Sequence, residues 1–189
     1  MTTTSEATNN QALLVDLLER MSKAGSWTGE THLQKCVYFL QEMTTFPKAF
    51  QFVLYKHGPH SFDLHDELAN MVANQTLVIE HSTTYGPTFG PGPYAQRLKQ
   101  RCTAALAQHE ATLDFAAHSL SPNDTGDLEM WGTAFYISKQ NPNIAKEEQA
   151  IVINQLKPHI PFEEAMQALS SISYLEQQVQ TEFQGISTL

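Results

Sequence analysis

The sequence predicts a mainly helical (α+β) protein, with a winged-helix-like core, a small β hairpin and wing, and a C-terminal helical extension. Three observations support this fold class. Apolar residues recur at helical spacing along most of the chain. Two short segments, 51–56 and 76–80, have the β-branched and aromatic composition of strands. Turn signals flank these strands, at Gly58-Pro59 and in a Gly- and Pro-rich segment at 85–93.

Composition sets the size and the charge of this protein. The chain has 189 residues, of which 41% are hydrophobic, enough for one domain, or a core with a helical appendage, that needs neither disulfides nor metals for stability. The net charge is −9, with only 11 Lys and Arg residues. Such an acidic surface favours basic or apolar partners and disfavours nonspecific attraction to nucleic acid or anionic lipid.

The cysteines and the N-terminal residues indicate the compartment. Cys36 and Cys102 lie far apart, each on an apolar helix stripe, so we expect buried thiols in a reducing cytosol, with a disulfide left as the alternative. Residues 1–10 contain no basic residue and no apolar core, so they are neither a signal peptide nor a transit peptide. The longest apolar run, Cys36–Leu40, is far shorter than the roughly 20 residues of a membrane span. We therefore expect a cytoplasmic protein without a membrane segment.

Residues 1–9 are expected to form a disordered leader, and residues 10–93 the winged-helix-like core. The first helix has apolar residues from Leu13 to Met21 and ends at Gly25, and the second covers 31–43. Ser61 is a suitable N-cap for a third helix, 61–74. Gly58-Pro59 is predicted to be a turn, and 85–93 a rigid, irregular loop or wing tip.

Residues 94–189 are predicted to form a helical extension packed on the core. A long helix would start at Pro93 and bury Leu98, Cys102, Leu106, Leu113 and Leu120. The expected later helices begin at Ser121-Pro122, at about 144 and at Pro161, the last one ending at Gly185. No linker or low-complexity run forces a boundary, so the two parts are expected to form one compact domain.

The order of elements is that of a winged helix, in which the third helix enters the major groove beside basic phosphate contacts. Here that helix carries Asp63, Asp66 and Glu67 and no Lys or Arg. The nearest basic group, 97–101, lies beyond the wing. Because these carboxylates repel phosphate, DNA binding is disfavoured. A winged-helix transcriptional regulator, acting as a dimer through its C-terminal helices, is retained as the alternative function.

Histidines and carboxylates around the Gly-Pro turn raise the question of a metal. No two of His57, His60 and His65 are three or four residues apart within the helix, so we predict no metal ligands. We also predict no cofactor, because prolines alternate with the glycines of 86–92 and remove the amide donors of a phosphate loop. No nucleophile motif is present. We therefore predict no catalytic residues. An enzyme of unrecognised type is the third and least favoured hypothesis.

Two motifs resemble a known family. The first is Leu33-Gln-Lys35 within the helix that continues to Leu40, and the second is the segment Leu54–Pro59, followed by a helix with Leu64 and Leu68 and by a hydrophobic strand. Together they resemble the Panacea antitoxin domain over about residues 30–80. The pattern is also similar to the YwgA-like bacterial proteins, whose function is not established, and this second likeness continues weakly over about 127–170.

The resemblance implies a small, largely helical module that recognises another protein, often a toxin, and is not an enzyme. The positions that match the motifs are Leu33, Gln34, Lys35, Tyr55, Gly58 and Pro59. We therefore expect an antitoxin-like interaction protein whose partner is encoded nearby, with homo-oligomer formation left open. The expected partner-binding surface joins the Gly-Pro turn to the acidic, aromatic-edged helix after it: Tyr55, His57, Gly58, Pro59, Phe62, Asp66 and Glu67.

Overall fold

The structure, a computed structural model, describes residues 4–82 and 86–184. The structure is 68% helix and 9% strand, so the predicted mainly helical α+β class is confirmed. The helices are α1 (Thr4–Lys23), α2 (Glu30–Met43), α3 (Phe62–Ala73), α4 (Ala95–Arg101), α5 (Thr103–Gln108), α6 (Glu110–Phe115), α7 (Thr125–Gln140), α8 (Lys146–Leu156) and α9 (Phe162–Gln184). The strands are β1 (Val53–Tyr55), β2 (Gly58–His60), β3 (Leu77–Ser82) and β4 (Gly86–Pro91).

The chain divides into two compact units that differ from the predicted division at residue 93. The first unit takes in the described residues of Met1–Phe52 and Ser61–Asp124, and the second those of Val53–His60 and Thr125–Leu189. Helices α4–α6 therefore belong with the predicted core. The β1–β2 hairpin, which lies inside that core in sequence, belongs with the C-terminal helices.

Helix α1 provides much of the core of the first unit. It begins at Thr4, so residues 4–9, which were expected to form a disordered leader, are helical. Glu6 in the first turn suits the positive end of the helix dipole. Its apolar stripe from Leu13 to Met21 is buried. The helix contacts α4, α5, α6, β4 and the π-helical segment Ala116–Leu120. It ends at Lys23, just before Gly25. The φ of Gly25 is 77°, which is the left-handed conformation expected of a glycine that ends a helix.

Helices α2 and α3 lie close to their predicted positions. Ser61 is the N-cap of α3, and its hydroxyl accepts a hydrogen bond from the Leu64 amide at 3.2 Å. Leu64, Leu68 and Met71 form the buried face of α3. The local signals for this helix therefore agree with its tertiary packing.

The Gly- and Pro-rich segment after β3 is a strand, which corrects the prediction of an irregular wing tip. Residues 86–91 pair antiparallel with 77–82, from Leu77 with Pro91 to Ser82 with Gly86. The amide of Phe89 points away from β3, because it donates to the Thr28 carbonyl at 3.0 Å. Pro87 and Pro91 lie two residues to either side of Phe89, so their nitrogens also face away from β3. The N–H groups that proline lacks are therefore not needed for pairing with β3. Tyr85 lies outside the described residues.

The long helix predicted after Pro93 is broken into α4, α5, α6 and the π-helical segment. The breaks fall at Cys102 and His109, where φ is −117° and −108° and ψ is 26° and 13°. Neither Gly nor Pro occurs between 95 and 120, so no sequence signal marked either bend. The predicted inward residues Leu98, Cys102, Leu113 and Leu120 are nevertheless buried.

In the second unit, β1 and β2 form a hairpin in which Val53 pairs with His60 and Tyr55 with Gly58. The two-residue loop is therefore Lys56-His57, whereas the prediction placed the turn at Gly58-Pro59. Gly58 has a φ of 79° and is the first residue of β2, so it supplies the left-handed backbone directly after the loop. Strand β2 contacts α7.

Helices α7, α8 and α9 contact one another and complete the second unit. Helix α7 begins at Thr125, not at the predicted Ser121-Pro122. Ser121 instead ends the π-helical segment of the first unit, where its hydroxyl donates to the Ala117 carbonyl at 2.8 Å. The predicted stop at Gly185 lies outside the described residues. The buried stripes of the three helices include Leu128, Phe135, Ile153, Leu169, Ile172 and Val179.

Candidate functional site

The Leu-Gln-Lys motif lies inside the first unit. Leu33, Gln34 and Lys35 are all buried on α2. Gln34 holds both backbone groups of Ser61: its Oε1 accepts from the Ser61 amide at 2.9 Å, and its Nε2 donates to the Ser61 carbonyl at 3.0 Å. Because Ser61 caps α3, this pair fixes the point where α3 begins. The motif residues therefore have a structural part in this unit.

Gln41, seven residues later on α2, makes the same pair of bonds to Phe50. Its Nε2 donates to the Phe50 carbonyl at 2.8 Å, and its Oε1 accepts from the Phe50 amide at 3.2 Å. No sequence motif identifies Gln41 as a contact residue. The available signal was its spacing of two helical turns from Gln34, which places both side chains on one helix face.

The exposed face of α3 is acidic and aromatic. The Phe62 side chain is 53% exposed, and Asp63 and Asp66 beside it are also exposed. His65 Nδ1 lies 2.7 Å from Glu30 Oε1, and this hydrogen bond raises the pKa of His65. Glu67 is only half-exposed, and its Oε1 accepts from Gln11 Nε2 at 2.7 Å. Phe62 and Asp66 are thus more available to a partner than Glu67.

In the second unit, the β1–β2 hairpin exposes one apolar face. Val53 and Tyr55, two residues apart on β1, are 45% and 55% exposed, and the rings of Tyr55 and His60 are 5.7 Å apart. His57, in the loop, is also exposed, and its Nδ1 lies 3.3 Å from Glu129 Oε2.

The predicted partner-binding residues are divided between the two units. Tyr55, His57, Gly58 and Pro59 belong to the second unit, whereas the residues on α3 belong to the first. Gly58 and Pro59 are buried, so they shape the hairpin and do not present side chains to a partner. This corrects their assignment as contact residues.

A buried lysine, Lys157, secures the hairpin within the second unit. Its Nζ donates to the carbonyls of Tyr55 and Lys56, each at 2.5 Å. Burial lowers the pKa of Lys157, and the nearby Glu129 carboxylate opposes that change. In the sequence, Lys157-Pro158 predicts only the end of a helix, and no local signal indicates that the lysine contacts the hairpin.

The basic residues considered for DNA binding are partly engaged within the first unit. Lys99 Nζ lies 2.5 Å from Asp16 Oδ1 and 2.6 Å from Glu19 Oε2. Burial would raise the pKa of Asp16, but hydrogen bonds from Lys99 and Arg20 outweigh it and lower that pKa. Arg97 and Arg101 are exposed. Lys99 is therefore an internal counterion rather than an open phosphate contact.

The three histidines considered for metal binding have separate surroundings. His57 lies near Glu129, the His60 ring lies tilted by 36° against that of Tyr55, and His65 lies near Glu30. Within residues 4–82 and 86–184, no group of three or more His, Cys, Asp or Glu side chains is arranged to hold a metal ion.

One Ser–His proximity has the residue types of a catalytic pair but not its geometry. Ser26 Oγ lies 3.3 Å from His32 Nε2. However, Ser26 donates to the Ser121 carbonyl at 2.7 Å, and His32 Nε2 lies 3.1 Å from the same oxygen. Because a carbonyl only accepts, Nε2 carries a proton and cannot take one from Ser26.

No protein-family model and no curated protein matches this chain. The resemblance to the Panacea and YwgA-like families therefore stays a prediction. Among the described helices, none is both long enough and apolar enough to cross a bilayer.

Proposed function

We propose that this chain is a non-enzymatic, antitoxin-like interaction protein of the cytoplasm that binds a basic partner protein through the exposed face of α3. The observation that carries the proposal is an exposed aromatic side chain, Phe62, flanked by Asp63 and Asp66 on a helix without Lys or Arg. A few buried aromatic residues supply most of the affinity of typical interfaces. Complementary charge speeds encounter and selects the partner.

The support of α3 favours binding without rearrangement. Gln34 fixes both backbone groups of Ser61, and the Ser61 hydroxyl caps the helix. A surface held in one conformation loses less entropy when it binds. The face that presents Phe62 is therefore rigid at its N-terminal end, where the aromatic side chain lies.

The charge of α3 also bears on the choice between partners. The whole chain carries −9, and a carboxylate face attracts Lys and Arg side chains while it repels phosphate. A basic protein encoded nearby, such as a toxin that the chain neutralises or presents, fits this chemistry. DNA binding by a winged-helix regulator has less support, because the acidic α3 would have to face phosphates and Lys99 is engaged with Asp16 and Glu19.

The test compares affinity purifications of wild type and three variants from the native host. Phe62→Ala removes the aromatic contact, and Asp66→Lys reverses one charge on the same face. Glu182→Lys is the matched control, because it makes the same charge change at an exposed position of α9. A bound protein should be retained by wild type and Glu182→Lys and lost with the two α3 variants.

Kinetics on the purified partner then separate the two contributions. Phe62→Ala should weaken the equilibrium affinity by about tenfold or more, as expected for an interface aromatic. Asp66→Lys should mainly slow association and reduce its salt dependence. The proposal would be contradicted if all four chains retained the same proteins equally. It would also be contradicted if wild type eluted without any bound protein.

A further inference from the structure

The first unit contains a cleft of about 530 Å³. Three segments line it: the N-terminal half of α1, the short stretch Pro47–Ala49, and α5 with His109 after it. Its volume lies within the range of small-molecule sites, roughly 300–1,000 Å³. The proposed protein interface on α3 does not use this cleft, whose lining residues lie outside that helix.

His109 is the unusual residue of the cleft. Only 6% of its surface is exposed, although it lines the cleft. Its Nδ1 has no hydrogen-bond partner among the described residues. Phe46 packs its ring edge-on at 5.9 Å. Buried polar groups nearly always have partners, so an unpaired one on a residue that lines a cleft requires an explanation.

The other polar groups of the cleft are mainly side-chain amides. Asn9 and Asn10 come from α1, and Gln108 comes from α5. Each amide carries a carbonyl acceptor next to an NH2 donor, an arrangement that pairs with the adjacent donor and acceptor on the edge of a nucleobase. Burial lowers the pKa of His109, so its imidazole is neutral at pH 7 and offers one donor and one acceptor.

The apolar and charged groups narrow the ligand class. Leu13, Pro47 and Ala105 supply apolar surface suited to the face of a planar ring. The cleft has one acid, Glu6, and one base, Lys48. With no net positive charge, the lining does not favour a phosphate group.

We propose that this cleft binds a small uncharged heterocycle of the nucleobase type, presented as a free nucleoside. The amides of Asn9, Asn10 and Gln108 would recognise its polar edge, and a rotation of the His109 ring would bring its buried Nδ1 to the ligand. The site is independent of the proposed partner surface, so either can fail without the other.

Ligand-observed saturation-transfer NMR on the full chain tests this site with adenosine, guanosine, cytidine and uridine, each added alone. At least one nucleoside should bind with a Kd below about 1 mM, near −4 kcal/mol. Ala105→Trp fills the cleft and should weaken that nucleoside at least tenfold. Ala107→Trp is the matched control on the same helix, because Ala107 is exposed and does not line the cleft; it should bind within twofold of wild type.

A further variant distinguishes a loss of binding from a loss of folding. Gln108 is exposed, so Gln108→Ala should melt at the wild-type temperature and still bind at least threefold more weakly. The proposal is overturned if no nucleoside shows saturation transfer, or if Ala105→Trp and Ala107→Trp bind alike. Preference for the zwitterion L-glutamine over all four nucleosides would also overturn it, because the ligand class would then be wrong.

Discussion

Gln34 and Ser61 are joined by two hydrogen bonds, of 2.9 and 3.0 Å, that satisfy both backbone groups of Ser61 with one buried side chain. Gln41 does the same for Phe50. Segment 51–60 lies between these two anchored residues, and its last eight residues belong to the second unit. Helix α2 thus binds the backbone of the first unit at Phe50 and Ser61, on both sides of segment 51–60.

Removing the Gln34 amide should destabilise the protein substantially. Gln34→Ala leaves the buried amide of Ser61 without a partner, whereas the Ser61 carbonyl keeps its bond from the His65 amide at 3.1 Å. One unpaired buried group costs about 1–3 kcal/mol. We expect a loss of about 1–3 kcal/mol in the free energy of unfolding, measured by urea denaturation. Gln96→Ala, at an exposed position of α4, is the control and should change it by less than about 0.5 kcal/mol. Equal values for the two variants would show that the Gln34 pair contributes little.

Lys157 should hold the β1–β2 hairpin in its observed form. Lys157→Met keeps the apolar stem and removes the donor to the Tyr55 and Lys56 carbonyls. Hydrogen bonds from charged groups contribute about 1.5–3 kcal/mol, so the hairpin amides should exchange with solvent at least tenfold faster in hydrogen-exchange measurements. Lys146→Met, which removes an exposed bond to Ser173, should leave hairpin exchange unchanged. Unchanged exchange in Lys157→Met would show that other contacts hold the hairpin.

Replacing His109 by Phe should stabilise the protein at pH 7. The variant keeps a ring against Phe46 and removes the unpaired buried Nδ1. Because an unsatisfied buried polar group costs about 1–3 kcal/mol, we expect a gain of about 1 kcal/mol in urea denaturation after some loss of fit. His118→Phe, at an exposed position, is the control and should give no gain. A clear destabilisation by His109→Phe would show that the imidazole has a favourable contact of its own.

The same variant should reduce the sensitivity of stability to acid. Burial lowers the folded-state pKa of His109 below its ordinary value of 6.5, so below that pH the unfolded chain binds the proton more readily and wild type loses stability. His32 acts in the same direction, whereas His65, with a raised pKa, favours the folded state in acid. The stability difference between His109→Phe and wild type, measured at pH 7 and pH 5, should therefore widen at pH 5. A constant difference would contradict a buried, neutral imidazole.

Several elements could be predicted because their signals are local. Leu13 to Met21 recur at helical spacing, Ser61 is a cap beside an acidic first turn, and Gly25 accommodates a positive φ. Each signal involves residues within about two turns of one another. The bounds of α2 and α3 accordingly agree with the sequence prediction to within one residue at every end.

The predictions that failed depended on distant residues. Segment 86–91 becomes a strand because β3 and the Thr28 carbonyl supply its hydrogen-bond partners, and composition alone indicated only a loop. The bends at Cys102 and His109 carry no Gly or Pro signal. The candidate site was predicted only in part: Phe62 and Asp66 are exposed as expected, whereas Gly58 and Pro59 are buried.

The sequence by itself determined the helical class, the acidic charge and the character of α3, since periodicity, composition and caps are properties of neighbouring residues. Only the tertiary structure decided that Gln34 and Gln41 anchor Ser61 and Phe50, that Lys157 secures the hairpin, and that His109 lies unpaired beside a cleft. These relations join residues from 9 to 102 positions apart. A glutamine, a lysine and a histidine have the same local signals on a solvated helix face as in a buried contact, so burial and pairing emerge only when the chain is packed.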